Sequence, residues 1–258
     1  MWPFANEEEA ILDVLRLARA MTYKSSLAGL NFGGGKALII GDPRKDKSED
    51  LFRAHGRFVN TMSGRYITTE DVGTVVEDVV HMRKETQYAS GLPKTLGGLG
   101  GAEVITGFGV YQGSKACMKE ITGTDSLSGK TVAIQGFGKV AYHYAKHLQE
   151  EGAHIVTTDI NKQRTAEAIK MGADIVEPDD IYDVECDIFS PCALGGTLNS
   201  DTIPRLKASI VAGAANNQLQ EDHHCEELQN AGILYAPDYA INPGGVITVA
   251  CEIEGKSR

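Results

Sequence analysis

The stretch Thr131-Val132-Ala133-Ile134-Gln135-Gly136-Phe137-Gly138-Lys139-Val140-Ala141 decides the fold. Residues 131–134 are apolar or β-branched and read as a buried strand. Gly136 to Ala141 then fits G-x-G-x-x-G/A, and Val140, Tyr144 and Leu148 recur at helical spacing. A second strand, Ile155-Val156-Thr157-Thr158, ends on Asp159, 23 positions after Gly136. A glycine turn between strand and helix, with an acid closing the next strand, is the signature of a dinucleotide site.

Each residue type has a physical reason to be there. Gly136 permits the tight turn, Gly138 lets the backbone approach a pyrophosphate, and Ala141 keeps helix and strand close. The helix start offers unpaired N–H groups and a positive dipole end to phosphate. Gly136, Phe137, Gly138, Lys139 and Val140 are therefore expected to line the cofactor. Asp159 is expected to accept from a ribose hydroxyl and repel a 2′-phosphate, favouring NAD over NADP. Lys162 and Arg164 pull the other way. A Rossmann-like domain whose glycines only serve packing is the alternative.

Downstream, a helix through Ala166 and Ala168 is followed by three short strand-like triplets, Asp187-Ile188-Phe189, Ser209-Ile210-Val211 and Ile233-Leu234-Tyr235. Strands alternating with helices predict a parallel, doubly wound sheet. Upstream, Asn6 and Glu9 open a helix with Ile11, Val14, Leu15, Ala18 and Met21 on its apolar stripe. Ala37-Leu38-Ile39-Ile40 reads as a short buried strand and Ile67 as part of a second. Between them, Leu51 to Met62 suits a helix, and another runs from about Val104 to Glu120. The polar stretch from Gly123 to Gly129 marks a boundary. Residues 1–122 are expected to form one domain, 123–245 the nucleotide domain, and 246–258 a returning hinge or helix.

Composition narrows the partners. The 258 residues carry a formal net charge of -10, against the clustered positive charge that nucleic acid requires. No apolar run reaches bilayer-spanning length. Glu7, Glu8 and Glu9 follow Trp2-Pro3-Phe4 without a basic lead-in, unlike a secretory signal. Neither nucleic acid nor membrane is expected, and the cytoplasm is the expected setting. Five cysteines without a C-x-x-C pair read as reduced thiols. His223, His224 and Cys225 are adjacent, but neighbours on one element point apart, so no metal is expected.

Gly33-Gly34-Gly35-Lys36 resembles a phosphate loop only superficially, because Leu30 and Ala37 stand where glycine and Ser or Thr are needed. A lysine after three glycines, leading into apolar chain, suits a desolvated amine able to act as a base. A solvated surface lysine is the alternative.

Several further motifs stand in one order: Met21-Thr22-Tyr23-Lys24, Gly33 to Lys36, Glu70-Asp71-Val72-Gly73-Thr74, Gly136 to Ala141, Gly213 to Gln218, and Asn242-Pro243-Gly244-Gly245-Val246. Together they resemble the glutamate, leucine, phenylalanine and valine dehydrogenase family over nearly the whole chain. The resemblance to its leucine-acting branch is strongest through Gly41 to Ser48. It implies an α/β protein, with an incomplete mixed-sheet substrate domain followed by a doubly wound Rossmann-type domain. Family members extend beyond both ends, which implies missing opening strands and closing helices.

The resemblance also implies roles. Lys24 matches the lysine that pairs with the substrate carboxylate, Lys36 the one that activates water, and Asp71 the carboxylate that shuttles the amino-group proton. Gly33 and Gly34 match the close approach to the amino acid. Thr106 and Asn217 match positions near substrate and nicotinamide, and Ala214 and Asn216 positions near the cofactor. Met21, Val246 and Val249 match the side-chain pocket. The implied reaction turns a branched-chain L-amino acid, NAD and water into a 2-oxo acid, ammonia and NADH, in a homo-oligomer when full length. Thr69 and Ala102 depart from the family pattern. A preference for phenylalanine or another bulky amino acid, or a catalytically inactive truncated NAD-binding protein, are the competing expectations.

Overall fold

The computed structural model describes residues 1–256. Its first helix, α1 (Glu7–Leu27), starts at Asn6, whose side chain accepts the Glu9 N–H at 2.9 Å. Three glutamates occupy the first turn and Lys24 the last, each sign matched to the helix dipole. Ser48 caps α2 (Glu49–Thr61) by accepting from the Leu51 N–H at 3.2 Å. Helix α3 (Val76–Arg83) packs on α2 at Gly56, where a Cβ would come within 2.6 Å of the Met82 carbonyl oxygen. Phe52, Val79, Met82, Ala89 and Leu92 are buried together there.

Two expectations for this part of the chain fail. Ala37–Ile40 is not a strand: only Ile40 forms a bridge, parallel to Trp2, and both Ala37 and Ile40 are exposed. Nor is Ile67 in a strand, for the bridge falls one residue later, between Thr68 and Ala89. A strand needs consecutive pairing with a neighbour, and each of these segments pairs at a single residue. The apolar stripe expected on α1 is only partly covered, with Val14, Ala18 and Met21 half-buried. Ile11 and Leu15 are 56% and 61% exposed, whereas Lys24 and Ser25 are buried.

Helix α4 (Ala102–Thr122) leads into β1 (Thr131–Gln135), α5 (Lys139–Glu151), β2 (His154–Thr158), α6 (Lys162–Lys170) and β3 (Asp174–Ile175). Next come β4 (Ile188–Pro191), β5 (Ile210–Val211), α7 (His224–Asn230), β6 (Leu234–Tyr235), α8 (Asp238–Ile241) and α9 (Gly244–Ile253). All six strands are parallel, in the order β3-β2-β1-β4-β5-β6. Val132 and Ile134 of β1 enter one core with Tyr144 and Leu148 of α5, while Ala133 enters the opposite core with Phe189 and Val211. That is the two-residue period of a sheet covered on both faces. β3 escaped the sequence reading because its two residues are exposed and show no alternation.

The chain divides into two compact units, Met1–Ala102 with Val246–Arg258, and Glu103–Gly245. The division lies upstream of the polar loop at 123–129, because α4 belongs to the second unit. Val110 and Met118 are in its core. The Ser114 hydroxyl lies 2.8 Å from that of Tyr144, and Lys115 pairs with Glu151 at 2.7 Å. The returning segment joins the first unit through Glu252. Its carboxylate accepts the N–H groups of Gly91 at 2.9 Å, Leu92 at 3.4 Å and Leu99 at 3.2 Å.

The central layer makes a direct stability test. Phe189→Ala empties a fully buried ring site beneath β1 and is expected to cost about 3–5 kcal/mol in urea unfolding. A loss below about 1 kcal/mol would mean that this face is not close-packed.

Candidate active site

In the first unit, the chain leaves α1 through Gly29 at φ +67°, and the Ser25 hydroxyl then donates to the Gly33 carbonyl at 3.3 Å. Gly34 runs against α1, where a Cβ would lie 2.1 Å from the Ala18 oxygen and 2.4 Å from the Thr22 nitrogen. Gly35 passes the Tyr66 ring, 2.9 Å from where its Cβ would be. Two of the three glycines are thus required by the protein's own packing. Gly33 alone faces open space, with nothing within 4 Å of its missing Cβ.

This run delivers Lys36 to Asp71, and the ammonium pairs directly with carboxylate Oδ2. A turn fixes Asp71: its N–H donates to Thr74 Oγ1 at 2.9 Å, and the Val72 N–H donates to its Oδ1 at 2.8 Å. Loss of water pushes the Asp71 carboxyl up. The Lys36 charge and hydrogen bond, the Val72 N–H and the Lys24 charge together outweigh this, so it titrates below the usual 3.8. Lys24 is only 7% exposed and is close enough for its charge to act on Asp71. Met21 on α1 and Val246 and Val249 on α9 are half-buried.

Asp13 and Tyr66 also belong to this neighbourhood and were not foreseen. Burial raises the Asp13 carboxyl, and Arg16, Lys36 and Asp71 are among the charges it senses. Burial likewise raises the Tyr66 phenol, with a smaller push from Asp71.

In the second unit, Gly136 has φ +88°, and a Cβ there would come within 2.7–3.0 Å of Ala193. Gly138 precedes α5 with no side-chain cap, leaving N–H groups at the helix start for an anion. Lys139 is exposed and Val140 half-buried. Phe137 and Asp159 differ from expectation. The Phe137 ring is 1% exposed in the core, and its N–H donates to Asp159 Oδ2 at 2.8 Å. Phe137 therefore shapes the turn and offers no open donor.

Asp159 also accepts the Asn161 N–H on Oδ1 at 2.7 Å, and Arg164 Nη1 lies 3.6 Å from Oδ2. A carboxylate has lone pairs to spare for a ribose hydroxyl. Arg164, however, offsets the charge that was expected to repel a 2′-phosphate.

The loop after β5 is tightly built. Gly213 presses on Pro191, whose oxygen would be 2.2 Å from a Cβ. Asn242 Nδ2 donates to the Ala214 oxygen at 2.9 Å and to Asn216 Oδ1 at 3.0 Å. Asn217 adopts φ +52°, and its N–H donates to Asp238 Oδ2 at 2.6 Å. Thr106 is buried beside Gly245, its Oγ1 3.5 Å from where that Cβ would be. Thr158 Oγ1, Gln218 Oε1 and Asn242 Oδ1 are buried with no partner in the described structure. An uncapped helix start behind a side-chain-free turn, with orphaned polar atoms nearby, fits a dinucleotide. Among the described residues no cysteine is in a disulfide, and no helix is long and apolar enough to cross a membrane.

Residues 1–88 match the model of the Glu/Leu/Phe/Val dehydrogenase dimerisation domain. Residues 97–162 and 158–258 match that of Glutamate/Leucine/Phenylalanine/Valine dehydrogenase. Leucine dehydrogenase of Bacillus subtilis (strain 168) is 57% identical over 256 residues, spanning 99% of this chain and 70% of the relative. Phenylalanine dehydrogenase of Lysinibacillus sphaericus is 49% identical, over 100% of this chain and 69% of its own length. The crystal structure of L-tryptophan dehydrogenase from Nostoc punctiforme superposes with a TM-score of 0.80 at 44% identity, covering 99% of this chain and 74% of that one.

The Lys36–Asp71 pair sets a titration. Carboxylate-observed NMR is expected to find Asp71 titrating below 3.8, and Lys36→Met should move it upward as burial loses its main opponent. A carboxyl depressed in the fold stabilises it above the unfolded pKa. That contribution is lost as pH falls through the folded value. An Asp71 titration indifferent to Lys36→Met would show that the two are not paired in solution.

Proposed function

The chain belongs to the glutamate, leucine, phenylalanine and valine dehydrogenase family, and on that premise we propose that it oxidatively deaminates branched-chain L-amino acids with NAD. The observation that carries the reading is the Lys36–Asp71 ion pair within range of the Lys24 charge. Leucine as substrate is supported by the 57% identity to a leucine dehydrogenase, against 49% to a phenylalanine dehydrogenase. The match to a dimerisation-domain model supports a homo-oligomer.

The Lys24 ammonium holds the substrate α-carboxylate as a point charge. Gly33, with open space over its backbone, admits the amino acid, and Met21, Val246 and Val249 accept its side chain. Gly136, Gly138 and the start of α5 bind the pyrophosphate, with Lys139, Val140, Ala214 and Asn216 around the cofactor. Thr106 and Asn217 orient the nicotinamide and substrate. NAD, when bound, supplies the acceptor for the hydride that leaves Cα.

Lys36 in its free-base form takes a proton from the water that adds to the resulting iminium carbon. Asp71, held ionised, first takes a proton from the substrate ammonium and returns it to the carbinolamine nitrogen. The carbinolamine hydroxyl then gives its proton to Asp71 as the C–N bond breaks, releasing ammonia and leaving the 2-oxo acid. A bulkier amino acid such as phenylalanine is the second reading, supported by the 49% identity to a phenylalanine dehydrogenase.

The test is NADH production across the common L-amino acids, with leucine, valine and isoleucine expected to lead. NADH binding without turnover on any of them would leave only a nucleotide-binding protein. Lys36→Met should lower kcat by roughly 10²- to 10⁴-fold while NADH affinity stays constant. Parallel loss of both would contradict its role. Asp159→Asn should weaken NADH about tenfold, or about 1.4 kcal/mol, without weakening NADPH. An unchanged ratio in fluorescence titration would remove Asp159 from cofactor selection.

A further inference from the structure

The returning helix α9 is fastened to the first unit by one carboxylate that the chemistry above does not use. The chain from Gly91 to Leu99 folds back on itself, with the Leu96 and Gly98 N–H groups donating to the Pro93 carbonyl at 2.9 and 3.2 Å. Gly98 then lies against Leu92, whose carbonyl would overlap any Cβ, so only bare backbone can close this loop. Closure brings the N–H groups of Gly91, Leu92 and Leu99 to one spot. Glu252 takes all three, Gly91 and Leu92 on Oε1 and Leu99 on Oε2. Bonds from N–H groups to an ionised carboxylate belong to the stronger class.

The receiving loop is part of a fixed platform. Ala89 and Leu92 are buried with Phe52, Val79 and Met82. The Thr68 N–H donates to the Tyr88 carbonyl and the Ser90 N–H to the Thr68 carbonyl, both at 2.9 Å. Gly91 turns at φ +83°, with Thr69 Oγ1 2.6 Å from where its Cβ would lie. Residues 68 and 69 lead directly to Asp71, so Glu252 ties α9 to the segment that carries this carboxylate. On α9, Val249 stands three residues before Glu252 and Val246 three before that, a spacing that makes each a surface neighbour of the next.

We propose that Glu252 is a positioning residue for substrate selectivity. It holds Val246 and Val249 in register with the segment bearing Asp71 and so sets the length of amino-acid side chain accepted. The role presupposes the deamination proposed above and adds to it what fixes the pocket. Apolar contacts alone let a helix slide or turn slightly, whereas three converging N–H groups fix both its height and its rotation. A carboxylate is required because both oxygens must accept. Glutamine would keep one acceptor and turn its NH2 against an N–H. Misplacement by about 1 Å costs up to roughly 10²-fold in rate, so a loosened α9 is measurable in turnover.

The experiment compares the unaltered whole chain with Glu252→Ala, Glu252→Gln and, as a control on an exposed carboxylate nearby, Glu254→Gln. Amide hydrogen exchange reads the contact without substrate. In Glu252→Ala the Gly91, Leu92 and Leu99 N–H groups should exchange at least about tenfold faster. Steady-state kinetics with leucine, valine and phenylalanine read the role. KM for leucine should rise roughly tenfold with kcat within about threefold, and the preference for leucine in kcat/KM should narrow at least about threefold. Glu252→Gln should fall between, and Glu254→Gln should match the unaltered chain. A purely structural role would lower kcat alike for every amino acid and leave KM and the preference unchanged. That result would overturn the proposal, as would unchanged amide exchange in Glu252→Ala. Should Glu252→Ala fail to fold by circular dichroism, Glu252→Gln carries the same two readouts. An unaltered chain that turns over no amino acid would refute deamination itself, whereas a preference that survives loss of Glu252 would refute only this role.

Discussion

At Gly136 the chain turns with φ +88° while lying against Ala193, so two adjoining loops share a space that no side chain can enter. Those loops follow β1 and β4, the neighbours between which strand order reverses. In an open parallel sheet, such a reversal opens a crevice beyond the strand ends. The bare turn keeps that crevice backbone-lined. It also drives Phe137 into the core and presents the uncapped start of α5 outward. Gly213 against Pro191 repeats the device one strand over.

Asp159 secures this geometry as well as bearing on cofactor choice. Its two oxygens take the Phe137 and Asn161 N–H groups, tying the first turn to the loop after β2. A side chain that completes backbone hydrogen bonding cannot be read as a simple sign of charge. Arg164 beside it makes the local field a balance of two residues.

The first unit is organised by charge. α1 buries Lys24 and Ser25 in its last turn while Ile11, Leu12 and Leu15 stay exposed, so its apolar stripe is only partly covered. A buried lysine needs compensation, since a charge away from water is costly. Asp71 supplies it, holding Lys36 by direct contact while feeling Lys24 at longer range. The glycine run brings this about by packing, because Gly34 and Gly35 let the chain pass close to α1 and Tyr66.

The sequence by itself determined what depends on local pattern: the strand–glycine–helix unit at 131–151, the parallel alternation after it and the cap at Asn6. Those features follow from residue spacing and backbone freedom within a few turns of chain, whereas the lysine–aspartate set was legible only through the family resemblance. Only the tertiary structure decided that Ala37–Ile40 pairs at one residue, that α4 joins the second unit, that α1 leaves Ile11 and Leu15 uncovered, and that His223 and His224 lie side by side. Each of these rests on which distant surface supplies a partner. Two segments with the same hydrophobic pattern are equivalent until a neighbouring surface covers one face and leaves the other to water.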